Sequence, residues 1–141
     1  MTSATAFAAA PPALAAEIGR FFADYAAAYD AFDASAIARH FAVPSYILHP
    51  DRDTAAFTTA DALHANMERV NAINRAHDYG RAEPGPLTVT AFAPSHVLAT
   101  VPWTIRTRAG AILWRFTCSY QLARRAEGWK ILVCVNHAAD A

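Results

Sequence analysis

The chain has 141 residues, 55% of them hydrophobic and 17% charged, and its eight Phe, five Tyr and three Trp furnish one buried core rather than two. Twelve basic residues balance twelve acidic ones, which excludes the electrostatic footprint of a nucleic-acid binder or a polybasic membrane anchor. No apolar stretch of about 18 residues is free of charge, so no membrane span is predicted.

Residues 1–13 read as a frayed tail. The first sixteen residues hold no Lys or Arg, and Pro11-Pro12 breaks their Ala-rich run, a poor match to a secretory signal, so a cytoplasmic protein is expected. A single domain is predicted over residues 14–137, with residues 138–141 as a short C-terminal tail. Its first element is a helix, because Leu14, Ile18, Phe21, Phe22, Tyr25, Tyr29 and Phe32 recur at helical spacing and share one face. Asp33 suits the N-cap of a short second helix carrying Ile37 and Phe41, which Pro44 ends. The period then changes to two. Ser45, Ile47 and His49 point one way in a short strand that turns at residues 50–53 and returns over residues 55–58. Thr59 or Asp61 caps a third helix with Leu63, Met67, Val70 and Ile73 or Asn74 on its buried stripe, running to about His77 before Gly80.

Everything after it reads as sheet, with strands over residues 87–93, 97–108, 111–124 and 129–137. Two-residue turns at Ala109-Gly110 and Ala126-Glu127 would set Val101 opposite Cys118 and Cys118 opposite Val135. One face then carries Val101, Trp103, Ile105, Trp114, Phe116, Cys118, Tyr120, Ile131, Val133, Val135 and His137, and the helices are expected to cover it. The other face is mixed and holds Thr100, Arg115, Ser119, Leu132, Cys134 and Asn136, which suits a wet interface with a second copy. In this register Cys118 and Cys134 lie on opposite faces. They are expected to be free thiols, too few for a disulfide framework.

Three helices followed by a meander is an α+β order. The helix run Phe22-Ala23-Asp24-Tyr25, the segment from Tyr29 through Asp33 to Ala42 and the terminal Gly128-Trp129-Lys130-Ile131 resemble the nuclear transport factor 2-like (NTF2-like) superfamily, in particular its SnoaL-like polyketide cyclase, ketosteroid isomerase and scytalone dehydratase group. The resemblance spans roughly residues 14–137. It implies a cone-shaped, cystatin-like fold with three N-terminal helices packed on a curved, mainly antiparallel sheet. Laid on the steroid isomerases without gaps, Tyr25 falls at their oxyanion-binding tyrosine, His49 at their aspartate base and Cys118 at or near their protonated aspartic acid. A thiol is too weak a donor to replace a neutral carboxylic acid, so the resemblance does not carry that mechanism over whole. Small subunits of ring-hydroxylating dioxygenases share the fold, which adds a structural partner of a larger catalytic chain to the readings.

The apolar sheet face and the stripe of the first helix would enclose a pocket with polar tips at Tyr25, Tyr29, His49, Tyr120 and His137 and walls from Trp103, Trp114, Phe116 and Cys118. In the catalytic reading His49 takes a proton, Tyr25 hydrogen-bonds the oxygen on which charge develops, and His137 orients or returns the proton. The reaction would be a lyase or isomerase step, namely proton transfer, dehydration or cyclisation on a small apolar or aromatic carbonyl compound, with no cofactor. In the plainer reading the tyrosines are core residues with satisfied hydroxyls, His49 flanks a turn and His137 meets solvent. Cys118 has no adjacent base or helix N-terminus in sequence and is read as packing. The His49-x-Asp51-x-Asp53 string reads as turn chemistry rather than a metal site. His40, His64, His77 and His96 have no ligand spacing and read as surface residues. The glycines form no phosphate-cradling loop. The alternative to an enzyme is a non-catalytic module of the same fold that dimerises or binds a partner protein through its open sheet face.

Overall fold

Proline stands at the first turn of α1 (Pro12–Asp30), where its missing N–H leaves nothing unsatisfied and its fixed φ suits the helix. In this computed structural model, which describes residues 8–138, α1 buries Ile18, Phe22, Tyr25, Ala26 and Ala28. The Asp33 side chain accepts from the Ala36 N–H at 3.0 Å and starts α2 (Ala34–Arg39). After β1 (Phe41–His49) and β2 (Arg52–Phe57), Thr59 caps α3 (Ala60–Ala76) by accepting from the Ala62 N–H at 3.1 Å. Then follow β3 (Tyr79–Pro84), β4 (Thr88–Ala93), β5 (His96–Thr107), β6 (Ile112–Arg125) and β7 (Gly128–Asn136). The strands form one sheet in the order β2-β1-β7-β6-β5-β3, and β4 pairs with the other half of the long β5. Pairing is antiparallel except between β1 and β7. Among the described residues no helix is long and apolar enough to cross a membrane.

Several elements depart from the sequence expectation. Phe41 opens β1 instead of closing the second helix, and Pro44 lies inside that strand. The β1–β7 register is broken between Phe41 and Tyr46, so the proline sits where the ladder is already interrupted. The strand β3 is not anticipated, because Gly80 looks like a helix terminator. Its role is instead close approach: a Cβ there would stand 2.4 Å from the Thr107 carbonyl oxygen on β5. Part of the expected N-terminal tail is also held, since the Ala10 N–H donates to the Val89 carbonyl at 2.9 Å beside β4. Residues 1–7 and 139–141 lie outside the described residues.

The β5–β6 register is as expected from Val101↔Cys118 to Ile105↔Trp114. Along β6–β7 the expected pairing holds from Arg125↔Gly128 to Leu122↔Ile131 and then fails, because Gln121 faces Val133 and Cys118 faces Asn136. Leu132 is the extra residue of a bulge. Since side chains alternate with period two, one extra residue exchanges the faces of everything after it. Cys134 and Asn136 therefore turn inward, while Val133, Val135 and His137 take the outer face. This corrects the expectation that Val133, Val135 and His137 share the helix-covered face and that the two cysteines are on opposite sides of the sheet.

The helix α1 is fastened to the sheet near both ends. Glu17 accepts from Trp129 Nε1 and from Arg124 Nη2, each at 3.1 Å, and the Arg124 guanidinium lies over the Trp129 ring. Asp30 Oδ1 accepts from the Tyr79 hydroxyl at 2.8 Å and from the Ala82 N–H at 2.9 Å, which binds the far end of α1 to β3. Between these clasps Phe22 is fully buried, with ring centroids 4.7 Å from Tyr120 and 6.4 Å from Trp103. Replacing Phe22 with Ala removes a fully enclosed ring and is expected to destabilise the protein by about 3–5 kcal/mol, read as a fall in the urea midpoint with an unchanged m-value.

Candidate active-site cavity

Covering only part of the inner sheet face, α1 and α3 leave a cavity of about 550 Å³. Tyr25 and Tyr29 enter it from α1, Asn66, Met67, Arg69 and Asn74 from α3, His49 from the end of β1, and Trp103, Phe116, Cys118, Tyr120, Cys134 and Asn136 from β5 to β7. One end is deeply buried: Tyr25, Trp103, Cys118, Tyr120 and Cys134 are each less than 8% exposed. The other meets solvent at Ile73, Phe116, Arg52 and Arg69. Every residue expected to line a pocket, namely Tyr29, Trp103, Trp114, Phe116, Cys118 and Tyr120, borders it, as do Tyr25 and His49.

His137 does not. Its backbone N–H donates to the Thr117 carbonyl at 3.0 Å and its Nε2 lies 2.7 Å from Ser119 Oγ on the outer sheet face. The Leu132 bulge is the cause, and it brings Asn136 into the cavity in place of the histidine. Asn136 is the residue sequence reasoning missed. Neither its neighbours nor its spacing mark it, because its orientation depends on one unpaired residue four positions earlier.

Hydrogen bonding at the deep end is sparse. Trp103 Nε1 donates to the Tyr120 hydroxyl oxygen at 2.9 Å, which leaves the Tyr120 proton free to point into the cavity. The Tyr25 and Tyr29 hydroxyls are 3.4 Å apart, and Tyr29 donates onward only to Met67 Sδ at 3.8 Å, a weak acceptor. Burial pushes the Tyr25 and Tyr120 hydroxyls well above the ordinary tyrosine range and Tyr29 up to about 12. All three are therefore neutral donors at physiological pH. At His49, burial first and the neighbouring Arg52 second pull the imidazole below its ordinary value, so it is neutral near pH 7. Asn136 Nδ2 stands 3.0 Å from His49 Nδ1, and Cys118 Sγ donates to Asn136 Oδ1 at 2.9 Å.

Among the described residues no Asp or Glu borders the cavity, and no group of three His, Cys, Asp or Glu side chains is placed to hold a metal ion. Arg69 is bonded to Asn66 Oδ1 at the rim. His40, expected at the surface, is half-buried behind the site. Its ring lies edge-on to Tyr25 at 5.4 Å and to Phe21 at 5.0 Å, and Nδ1 donates to the Ala36 carbonyl at 2.8 Å.

Three helices on a mostly antiparallel sheet, with a mixed aromatic and polar cavity between α1 and the inner sheet face, define the NTF2-like architecture with its cystatin-like fold. The chain belongs to this class: residues 16–139 match the family described as "NTF2-like protein (DUF6841)". It is similar to an NTF2-like protein with a cystatin-like fold from Novosphingobium aromaticivorans (TM-score 0.73, 18% identity, covering 89% of this chain and 82% of that one). It is similar also to a protein of unknown function with a cystatin-like fold from Nostoc punctiforme (TM-score 0.74, 11% identity, 95% and 97% covered). A Streptomyces avermitilis protein provisionally described as a dehydratase of the NTF2-like family matches with a TM-score of 0.70, at 12% identity and with 94% and 100% covered. At these identities the likeness is one of fold. Among curated proteins none matches the sequence.

The packing of His40 has a consequence for pH. Burial holds its folded pKa below 6.5, against the smaller upward pull of the Ala36 carbonyl. As pH falls through 6.5 the unfolded chain takes up the proton first, so stability drops from there down to the folded pKa and then levels off. His49 contributes with the same sign. Urea midpoints of wild type and His40→Gln at pH 7.5 and 5.5 are expected to show a smaller acid-induced loss in the variant.

Proposed function

We propose that the cavity binds a small apolar or aromatic carbonyl compound and that the protein acts on it by cofactor-independent proton transfer, as a lyase or isomerase. The observation that carries this reading is the pairing, in one cavity with no Asp or Glu among its described lining residues, of buried neutral tyrosine hydroxyls with a neutral histidine. Tyr25 and its partner Tyr29 donate to the carbonyl oxygen, an interaction worth more in a dry site than in water. His49 exchanges the proton at the adjacent carbon, and its lowered pKa leaves the imidazole unprotonated for that work. Asn136, and not His137, takes the positioning role, because its amide meets His49 Nδ1. The Streptomyces avermitilis neighbour's provisional description as a dehydratase is in keeping with this class of chemistry.

A second reading concerns the outer sheet face, where Tyr46 is 41% exposed and pairs in register with Val133, beside Leu48 and Val135. This apolar strip suits a homodimer, either around an active cavity or as the whole role of a non-catalytic module.

The test is a thermal-shift series with non-conjugated aryl ketones and 1,3-diketones. Wild type is expected to gain melting temperature with ligand concentration. Tyr25→Phe, which loses one hydrogen bond of about 0.5–1.5 kcal/mol, is expected to bind about 2- to 10-fold more weakly. His49→Ala is expected to keep most of the binding and lose turnover. No shift for wild type across the series would remove the carbonyl reading and leave the dimerising module.

A further inference from the structure

Two thiols face the cavity, and the reading of Tyr25 and His49 uses neither. Cys118 on β6 and Cys134 on β7 are both free. The bulge at Leu132 puts Cys134 directly opposite Tyr120 and Asn136 directly opposite Cys118, so the two sulfurs, the Tyr120 hydroxyl and the Asn136 amide converge on one patch of the cavity wall. Each of the surrounding groups can donate to Cys118 Sγ. Tyr120 has its oxygen occupied by Trp103 Nε1 and its proton to give. Cys134 has an S–H. Asn136 has an NH₂ that reaches Cys118 when its amide is turned end for end. In the arrangement observed, the thiol donates to Asn136 Oδ1 and Nδ2 donates to His49 Nδ1. In the turned arrangement, Nδ2 donates to a thiolate and Oδ1 accepts from His49 Nδ1–H. One amide therefore links the protonation of a sulfur on β6 to that of an imidazole on β1, across the intervening β7.

We propose that Cys118 is a nucleophile of this cavity, adding reversibly to an α,β-unsaturated carbonyl ligand, with Asn136 as its positioning residue and His49 as the group that moves the proton. The identity of the electrophile rests on the carbonyl reading above; the reactivity of the sulfur does not. In the addition Cys118 loses its proton to water entering at the open end of the cavity, His49 gains one from the same water as the Asn136 amide turns end for end, and the thiolate pair forms a bond to the β-carbon. The C=C π pair moves between the α-carbon and the carbonyl carbon, and the C=O π pair moves onto oxygen, where a tyrosine hydroxyl receives it. The enolate then collapses and its α-carbon takes the proton back from imidazolium Nε2–H. The sum is addition of S–H across the double bond, with no oxidant, reductant or metal, and the reverse sequence restores both partners. Donation from Cys134 and Tyr120 draws the Cys118 thiol below the ordinary cysteine range against the opposing effect of burial, while Cys134 is pushed up. Cys118 differs from Cys134 in having the Asn136 amide against its sulfur, and this makes it the thiol proposed to ionise.

Limited alkylation of the reduced full chain with iodoacetamide, mapped by peptide mass from pH 6 to 9, measures the two thiols separately. Cys118 is expected to react at least about tenfold faster than Cys134 at pH 7, with a midpoint below the ordinary thiol value of about 8.5. Asn136→Ala is expected to raise that midpoint and slow Cys118 without altering Cys134. Cys134→Ala, which removes the S–H donor with little change of volume, guards against a folding defect in the first variant and is expected to raise the Cys118 midpoint as well. Incubation with 2-cyclohexen-1-one is expected to add one enone mass to wild type, reversibly on dilution, and none to Cys118→Ser. Equal reactivity of the two thiols, or a Cys118 midpoint at the ordinary value, would overturn the proposal. So would an alkylatable Cys118 that takes up no enone. If non-conjugated ketones still shift the melting temperature in that last case, the carbonyl reading survives without the covalent step. An enone adduct without any ketone binding would support the nucleophile and reject the proton-transfer reading.

Discussion

The arrangement of the cavity depends on one unpaired residue. Up to Leu122↔Ile131 the last hairpin follows the register that its turn dictates, and beyond Leu132 it does not. A regular strand would present Val133, Val135 and His137 to the helices and send Cys134 and Asn136 outward. The cavity wall would then be drier, the two thiols would be separated by the sheet, and His49 would lack its amide partner. The bulge reverses all of these at once, because period-two alternation leaves no intermediate arrangement. It has a second effect on the other side of the sheet, where Val133 and Val135 now lie beside Tyr46 and Leu48 and make the outer face more apolar than the regular register would.

Glu17 and Asp30 fix where α1 lies over that wall by holding the helix to two separate parts of the sheet, the β6–β7 hairpin and β3. Each carboxylate accepts from a buried or half-buried aromatic donor, Trp129 or Tyr79, and from a second group, so the clasps are directional as well as attractive. Phe22 fills the middle of the span. Tyr25 and Tyr29, one and two turns further along α1, follow it; the Tyr25 ring packs against Phe41, Trp103 and Tyr120, and the two hydroxyls face each other and the Met67 thioether.

How much of this could be read from the sequence follows from which physical signal carries each feature. Helical spacing in residues 14–32, the caps Asp33 and Thr59, and the alternation of the last strands are local patterns, and they located α1, α2, α3 and β4 to β7. The β1–β2 hairpin was found with its start misplaced, since Pro44 carries a strong breaker signal that only the interrupted ladder against β7 overrides. β3 was missed because Gly80 signals the end of a helix, whereas its function is to let β3 approach the Thr107 carbonyl. The pocket residues Tyr25, Tyr29, His49, Trp103, Trp114, Phe116, Cys118 and Tyr120 were legible, since each precedes the bulge and keeps its phase. His137, Cys134 and Asn136 follow it and were placed on the wrong faces. A bulge leaves no mark in composition or spacing when the extra residue is itself an aliphatic that either face would accept.

The chemistry of the cavity follows from the same burial that closes it. Desolvation penalises charge of either sign, so it raises the tyrosines and lowers the histidine, and each of these groups is held in its neutral form at physiological pH. The deep end, with neutral donors and no Asp or Glu among its described lining residues, suits the neutral, polarised ligand proposed above, while Arg52 and Arg69 stand at the rim. Such a site must still accommodate the negative charge that develops as a carbonyl compound reacts. The deep end offers two places where donors outnumber acceptors: the oxygen facing Tyr25 and Tyr29, and the Cys118 sulfur facing Tyr120, Cys134 and Asn136. An anion formed at either is met by protons already in place, without water having to reorganise around it. Their presence in one cavity joins a nucleophile to the oxyanion its attack would create.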